Sequence, residues 1–404
     1  MAAAAAIGGW REGPFWVAPV CAAVALLLTF ALGRDLGLPW AAAAAGAGIL
    51  AAHPAFLFEA LQPMSDVPAT AWSLAVVICA RRSRRDFRWA VAAGAAFGVA
   101  FLVRPAGILL LFPILPLIAI GRRRLAAFAA GGLLPFLLFV AYNLGAFHHP
   151  LSTGYGRGGL WEALAFGNFP ARARHYGHWL SATLTGLVLL GWLVAPADRK
   201  IARSDRAMLF LWFAAFFVFY AFYGPYEAWW YLRFLLPAFP PLILAFLLTG
   251  RHALEWLTAR VGFAGIRAAG GIAIVIVLGL EMRQVRRLGV TGIAAGESTY
   301  PEAAKWAESA IPKDAFVIGM QMSGALRYST ALAAARWDSI PPEWLVSLVE
   351  AATRKGFPTY ALLFPFETAE VRKRIPGPWT TIDTRRGVSL WRLDRPGSMA
   401  APAP

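Results

Sequence analysis

The chain has 404 residues, of which 59% are apolar and only 15% charged, and its mean hydropathy is +0.56. These values exclude a globule with an ordinary water-exposed surface and indicate a membrane protein. The net charge of +16 does not indicate nucleic-acid binding, because the basic residues cluster at the ends of apolar stretches, where they meet anionic lipid head groups.

Long apolar stretches recur through the first two thirds of the chain. Windows of roughly 17 to 25 residues predict about ten membrane spans. They lie at residues 15–33, 38–53, 66–80, 89–103, 105–120, 125–142, 179–195, 207–222, 234–250 and 268–282. Several contain proline, which a membrane helix tolerates where neighbouring helices or a water-lined cavity satisfy the freed backbone groups. We therefore predict an all-α polytopic domain whose helices pack around a cavity.

The pattern changes after residue 250. Charged and apolar residues are interspersed over 250–267, which predicts an amphipathic helix on the membrane surface. Further on, turn residues and shorter apolar runs predict a small α/β domain of roughly 100 residues. Its predicted helices cover 301–310, 342–355 and 367–374, and its predicted strands cover 315–320, 359–364 and 388–393. The predicted organisation is a membrane domain over 1–282, an α/β domain over 283–395 and a disordered tail over 396–404.

Basic residues occupy every second gap between the apolar stretches. They are Arg34; Arg81, Arg82, Arg84, Arg85 and Arg88; Arg122, Arg123 and Arg124; Arg199, Lys200, Arg203 and Arg206; and Arg251, Arg260 and Arg267. The positive-inside rule places these gaps in the cytoplasm and the other gaps outside. Ten spans then predict an inner-type membrane protein whose N-terminus and C-terminal domain are both extracytoplasmic. Arg283, Arg286 and Arg287 favour the opposite side, but the three arginines at the other end of the same span balance them.

Ionisable residues in the first two outer gaps are candidates for a functional site. Glu59 and Asp66 place two carboxylates at the mouth of a span, where Asp66 is either a helix N-cap or a site residue. Arg104 lies between two apolar runs. An ionisable residue at membrane depth is costly and marks a candidate site, so Arg104 is either a phosphate ligand or an arginine that snorkels to the boundary.

The two later outer gaps are rich in aromatic and polar residues. The segment 142–178 holds Asn143, Tyr155 and Arg157, and its adjacent histidines give only a weak metal signal. The segment 223–237 holds Glu227, Trp230, Tyr231 and Arg233. The aromatic rings either stack on a sugar or belong to the interfacial belt. Glu227 and Arg233 form either part of a site or an internal ion pair.

Four stretches resemble the bacterial polytopic glycosyltransferases of the GT-C superfamily, in the branch of the protein O-mannosyltransferases and lipid A aminoarabinose transferases. They are Pro54 to Phe58 with Met64 to Pro68, Gly98 to Pro105, Tyr142-Asn143 with Gly154 to Gly156, and Leu232 to Pro237. These short stretches are distributed over most of the region 15–250. Each is weak alone, but their order and their positions in the loops make the resemblance moderately specific.

The resemblance implies transfer of a sugar from a polyprenyl-phosphate carrier to a lipid, glycan or protein acceptor on the outer side of the membrane, with inversion at the anomeric carbon. Arg104 and Arg233 would then bind the phosphate, and Asp66, Glu227 or Glu59 would act as the catalytic carboxylate. Asn143, Tyr155, Arg157, Trp230 and Tyr231 would contact substrate. The sequence identifies no cofactor and leaves a divalent metal open.

The chain departs from this family before its first span. The family carries its catalytic acidic residue in the first outer loop, after a span that begins in the cytoplasm, whereas here only Glu12 precedes the first span. One hypothesis is that the chain begins late and has lost a span and the catalytic loop. Otherwise the base is Asp66, Glu59 or Glu227, or the protein is inactive.

Two other function classes compete with a transferase. A transporter or flippase of a lipid-linked solute predicts internal repeats and ionisable residues near mid-membrane, neither of which is evident. A non-catalytic membrane assembly factor would use the C-terminal domain to bind a partner. Transfer from a polyprenyl-phosphate sugar distinguishes these classes.

Overall fold

The protein forms two compact units. The computed structural model describes residues 13–118, 121–151, 164–224, 227–261 and 265–394, and it divides the chain into Met1–Thr291 and Gly292–Pro404. Helices make up the described part of the first unit, and the second carries a five-stranded sheet. The chain is therefore a multi-pass helical membrane protein with a small α/β domain, as predicted. The predicted tail at 396–404 lies outside the described residues.

The helices of the first unit follow the apolar stretches. They are α1 Gly13–Asp35, α2 Trp40–Ala52, α3 Pro54–Ala60, α4 Asp66–Arg82, α5 Arg88–Val103, α6 Leu111–Ile114, α7 Arg122–Phe147, α8 Phe169–Val194, α9 Arg203–Ala221, α10 Phe239–Val261 and α11 Gly265–Arg287. Short 3₁₀ segments adjoin them at Pro105–Leu110, Phe166–Asn168, Ala195–Ala197, Trp229–Ala238 and Val290–Gly292.

Length and composition identify six described helical stretches that can cross a membrane. A seventh is present if α2 and α3, which are bent by 68° at a short break, act as one span. Each of the predicted windows contains helix, but the window at 105–120 begins with a 3₁₀ segment and continues as the single turn of α6. Its prolines account for this, since each removes a backbone donor. The number of ten spans stays a prediction.

The predicted surface helix at 250–267 is not a separate element. Helix α10 continues without a break to Val261, so the charged residues after Gly250 form the polar end of a long span. Arg251 lies on this end, where its guanidinium donates to the carbonyl of Gly37 at 2.6 Å and to Glu255 at 2.7 Å. The prediction of a separate helix was wrong because charged residues interspersed with apolar ones are compatible with a continuous helix. A change in polarity alone does not interrupt the backbone hydrogen bonds.

The gaps with basic residues meet one another at one end of the first unit, which we call the basic end. Arg81 binds Asp205 in a bidentate pair with distances of 3.1 and 3.0 Å, and Arg82 binds Asp35 at 3.2 Å. The remaining gaps also meet one another, since Asp66 pairs with Arg104 and Leu164 forms an isolated β-bridge with Tyr223. The alternation of charge along the sequence therefore corresponds to two distinct ends of the helical unit.

Glycine residues allow the backbones of α5 and α7 to come into direct contact where the two helices cross. A Cβ atom on Gly94 would lie 1.9 Å from the carbonyl oxygen of Phe128, and one on Gly131 would lie 2.0 Å from the carbonyl oxygen of Val91. Both obstacles are backbone atoms, so only a shift of a whole helix relieves them. Small residues of this kind let membrane helices pack closely in the absence of a hydrophobic driving force.

Replacing Gly131 by alanine is expected to destabilise the membrane unit by roughly 2 kcal/mol, in the range of overpacking in a close-packed interior. The matched control is Gly145→Ala on the same helix, where no atom lies within 4 Å of the added Cβ. Alanine there is expected to stabilise the helix by up to about 1 kcal/mol. Thermal unfolding of the detergent-solubilised chain checks both, and equal midpoints for the two variants contradict the close crossing.

The second unit is a mixed sheet with helices. Its elements are α12 Ile293–Glu297, α13 Thr299–Ala310, β1 Phe316–Ile318, α14 Ser323–Ser329, β2 Ala333–Ala335, α15 Pro342–Arg354, β3 Thr359–Leu363, α16 Pro365–Arg374, β4 Trp379–Arg385 and β5 Val388–Leu393. The strand order is β2-β1-β3-β5-β4; β1 is parallel to β2 and β3, and β5 is antiparallel to β3 and β4. Six of these elements match the sequence prediction, whereas the sequence analysis did not predict α12, α14, β2 or β4.

A buried carboxylate holds this sheet unit together. Glu367 in α16 is fully buried, and its Oε1 accepts hydrogen bonds from the backbone N–H of Met320 at 3.0 Å and of Gln321 at 3.3 Å and from the indole N–H of Trp337 at 3.1 Å. Its Oε2 accepts from the N–H of Phe364 at 2.9 Å. Four donors therefore compensate the cost of burying this charge.

Replacing Glu367 by alanine is expected to destabilise the second unit by about 3 kcal/mol or more, because several buried donors lose their acceptor at once. Glu370→Gln on the same helix is the control, since Glu370 is an exposed carboxylate whose surface ion pair with Arg374 is expected to contribute little stability. Hydrogen exchange of peptides from residues 316–320 and 359–374 in the full chain measures the effect. Unchanged protection in the Glu367 variant contradicts it.

Candidate functional site

The centre of the candidate site is an ion pair between Asp66 and Arg104. Asp66 opens α4, and the N-cap position belongs to Ser65, whose side chain makes no capping bond. Arg104 follows the last residue of α5 in an extended conformation, as expected for a residue before proline. Asp66 is buried and Arg104 is largely enclosed, with 5% and 13% of their side chains exposed. Asp66 is therefore not the N-cap, and Arg104 does not snorkel into water.

Two stacked aromatic rings support the guanidinium of Arg104. Its Cζ lies 5.1 Å from the ring centroid of Phe234 and 5.6 Å from that of Tyr220. The two rings are 5.0 Å apart and nearly parallel, at 7°. Phe234 comes from the 3₁₀ segment Trp229–Ala238 and Tyr220 from the end of α9, so with Asp66 of α4 three elements hold this arginine. Attraction between a cation and these ring faces adds to the ion pair.

A second arginine lies against the same ring. The Cζ of Arg233 is 5.4 Å from the centroid of Phe234 and 5.5 Å from that of Tyr231. Its Nε is buried and donates to no acceptor among the described residues, and in the described part of the chain Arg233 forms no ion pair with Glu227. Glu227 itself is exposed. Two guanidinium groups therefore share one aromatic ring, and among the described residues only Arg104 of the two is paired with a carboxylate. This arrangement suits an anion.

Further polar groups surround the pair. Tyr176 and Arg172, both buried, lie one turn apart on α8, and Tyr176 lies near Arg104. The sequence analysis singled out neither Tyr176 nor Tyr220 as a site residue. Tyr220 carries a hydroxyl near the end of an apolar helix, whereas Tyr176 lies in the segment 142–178 between Arg172 and His178.

The predicted carboxylate Glu59 lies in α3 and is fully buried. Phe58 beside it packs edge-on against Trp229, with ring centroids 5.1 Å apart. This contact joins α3 to the 3₁₀ segment that carries Arg233. Glu59 therefore belongs to the same end of the unit as the Asp66 pair, but an acceptor in solvent does not reach its carboxylate in this conformation.

The other predicted site residues differ in their placement. Asn143 is buried and donates to the carbonyl of Pro150 at 3.1 Å, so it closes the turn after α7. Tyr231 lies beside Phe234, with centroids 5.7 Å apart, and Trp230 is 40% exposed next to it. Tyr155 and Arg157 lie outside the described residues, as do Glu12 and the rest of the N-terminal segment before Gly13.

Two further ionisable residues of the first unit, His53 and Glu281, are fully buried. His53 caps α3, since its Nδ1 accepts from the N–H of Ala55 at 3.1 Å and its Nε2 lies 3.0 Å from the hydroxyl of Thr183. Glu281 in α11 is fully buried, and its carboxyl oxygens have no hydrogen-bond partner among the described residues. In that part of the chain no three His, Cys, Asp or Glu side chains lie close enough together to hold a metal ion.

Comparisons with known proteins agree with this architecture. No protein-family model matches the chain, and neither does any curated protein. A solved structure that does match is ArnT from Cupriavidus metallidurans bound to undecaprenyl phosphate, with a TM-score of 0.64 and 14% identity over 99% of this chain and 87% of that chain. ArnT is a GT-C family aminoarabinose transferase. At this identity the likeness shows the fold alone: the chain has the fold of ArnT, as the resemblance of the four sequence stretches implied.

Proposed function

We propose that this protein is a membrane glycosyltransferase that moves a sugar from a polyprenyl-phosphate carrier to an acceptor on the outer face of the cytoplasmic membrane. The observation that carries the proposal is the pair of guanidinium groups on the ring of Phe234, of which only Arg104 has a carboxylate partner in the described part of the chain. The likeness to a GT-C structure solved with undecaprenyl phosphate supports the same chemistry.

The phosphate of the carrier is the anion that fits this arrangement. A guanidinium presents a planar fork of donors that matches phosphate oxygens. Arg233 has a buried Nε without an acceptor among the described residues, so we assign the phosphate to Arg233. Arg104 is held by Asp66 and supports the other side of the phosphate site through the shared ring. Asp66 is in this proposal a positioning residue.

Glu227 is the proposed proton acceptor. Among the three predicted carboxylates its side chain is exposed, whereas Asp66 is paired with Arg104 and Glu59 is enclosed. In the proposed step an acceptor O–H or N–H gives its proton to Glu227 while the acceptor atom bonds to the anomeric carbon. The bond from that carbon to the phosphate oxygen breaks, and its electron pair leaves with the phosphate, whose charge Arg233 stabilises. Attack opposite the leaving group inverts the anomeric carbon.

Turnover by the purified full chain in lipid nanodiscs tests the proposal. A panel of undecaprenyl-phosphate sugars supplies the donor, and released undecaprenyl phosphate is measured in the presence of membrane extract as acceptor. Binding of undecaprenyl phosphate alone is measured by native mass spectrometry. Absence of both turnover and binding contradicts the proposed function.

Glu227→Gln is expected to lower kcat by at least about a hundredfold, the usual contribution of a general base, while undecaprenyl phosphate binds as before. The control is Glu255→Gln, which removes a carboxyl at the basic end. A Glu227 variant with the parental rate shows that the proton goes elsewhere.

A further inference from the structure

Two neighbouring cavities at the basic end are lined by arginines. The first has a volume of about 430 Å³ and is lined by Arg85, Asp86, Phe87, Gly121, Arg123 and Arg124. The second has a volume of about 560 Å³ and is lined by Arg84, Pro116, Ala202, Arg203, Ser204 and Ala207. Neither belongs to the site around Arg104, which lies among the other gaps. The cavities lie where the ends of α4, α5, α7 and α9 come together.

Hydrogen bonds connect the two cavities. Arg124 of the first donates through Nη2 to the carbonyl of Arg84 at 3.3 Å, and Arg84 of the second donates through Nη1 to the hydroxyl of Ser204 at 2.6 Å. The guanidinium of Arg123 stands over the ring of Phe87, with 4.2 Å between Cζ and the centroid. These contacts orient the arginines towards the cavities without neutralising them.

The charges around the cavities are not compensated within the described chain. Among the described residues, Arg84, Arg85, Arg123, Arg124 and Arg203 form no ion pair with a carboxylate, whereas their neighbours Arg81 and Arg82 are paired with Asp205 and Asp35. The one carboxylate in either lining, Asp86, accepts from the backbone N–H of Arg88, the first residue of α5, at 2.9 Å. Among the described residues, the arginines that have carboxylate partners and those that line the cavities are therefore different sets.

Exposed apolar side chains adjoin the cavities. Phe87 and Trp89 are each 37% exposed at the start of α5, and Leu125 is 61% exposed next to Arg124 in α7. A ligand with phosphate at one end and acyl chains at the other would place its phosphate against the arginines of the cavities and its acyl chains against these apolar side chains. Basic pockets between membrane helices commonly hold lipid head groups in this way.

We propose that these two cavities form a binding site for the head group of an anionic phospholipid, with a phosphodiester held by the arginines and the acyl chains lying along α5 and α7. Two connected cavities with five arginines that form no ion pair in the described part of the chain favour a lipid with two phosphates over one with a single phosphate. The site is independent of the proposed transfer reaction and of which sugar it uses.

Native mass spectrometry of the purified full chain tests this site with three lipids as probes: cardiolipin, phosphatidylglycerol and phosphatidylcholine. The parent is expected to retain cardiolipin most tightly and phosphatidylcholine least. Arg85→Ala/Arg123→Ala/Arg124→Ala is expected to weaken cardiolipin binding by at least about tenfold, since it removes three of the basic residues that attract the anionic head group.

The matched control removes the same charge from the C-terminal end of α11, as Arg283→Ala/Arg286→Ala/Arg287→Ala, and is expected to leave cardiolipin affinity unchanged. An equal loss in both triple variants means non-specific attraction to surface charge and overturns the proposal. Displacement of cardiolipin by millimolar inorganic phosphate shows that the arginines take free phosphate, and this also overturns it. Undecaprenyl phosphate binding, measured in parallel, reports separately on the proposed active site.

Discussion

Replacing Arg233 by alanine is expected to lower the rate of sugar transfer from an undecaprenyl-phosphate donor by at least about a hundredfold, the effect of removing one donor from a preorganised anion site. The reason is the buried Nε of Arg233, which has no acceptor among the described residues, and its guanidinium on the ring of Phe234. Arg233→Lys is expected to recover part of the rate, because a lysine keeps the charge but lacks the planar fork.

Arg174→Ala is the matched control for this prediction. Arg174 lies on α8, is exposed, and donates only to the carbonyl of Pro170 among the described contacts, at 3.3 Å. Its removal lowers the total charge equally and is expected to leave the rate within about twofold, as for surface substitutions away from a site. Full activity of the Arg233 variant would remove Arg233 from the phosphate site, whereas equal losses in both variants point to a general effect of positive charge.

The sequence was sufficient to predict the architecture. Apolar windows located the described helices, because membrane spans need long apolar stretches whatever their neighbours. The charges between them correctly separated the two ends of the helical unit, as the pair of Arg81 and Asp205 shows. Charge and composition are properties of the local sequence, so they can be interpreted without knowledge of the fold. The extension of α10 past Gly250 was missed because polarity alone does not end a helix.

The site was predicted only as separate residues. Asp66 and Arg104 were each left with two interpretations, because their pairing depends on how α4 packs beside α5. The sequence did not indicate the role of Phe234, since only the fold brings this ring of the 3₁₀ segment next to two arginines. Tyr220 likewise enters the site through its stacking on Phe234. Contacts between distant segments are set by packing, and a single sequence does not show them.

Breaking the pair of Asp66 and Arg104 is expected to have the largest effect on stability. Asp66→Ala leaves a buried guanidinium without its carboxylate partner, at an expected cost of about 3 to 5 kcal/mol. Asp66→Ala/Arg104→Met removes both charges and is expected to regain most of that loss, because two apolar replacements avoid an uncompensated buried charge. Thermal unfolding of the purified chain in detergent measures the free-energy differences.

The same cycle decides between two roles for Asp66. If Asp66 positions Arg104, as proposed, Asp66→Ala is less stable and the double variant recovers its stability but binds undecaprenyl phosphate more weakly, because the guanidinium beside Phe234 is gone. If Asp66 is instead the proton acceptor, Asp66→Asn abolishes turnover while its unfolding midpoint and its binding of undecaprenyl phosphate match the parent. Since the carboxylate is 5% exposed and already engaged by Arg104, the first result is expected. An ion pair of this kind keeps one guanidinium fixed on the ring while Arg233 remains available for the anion.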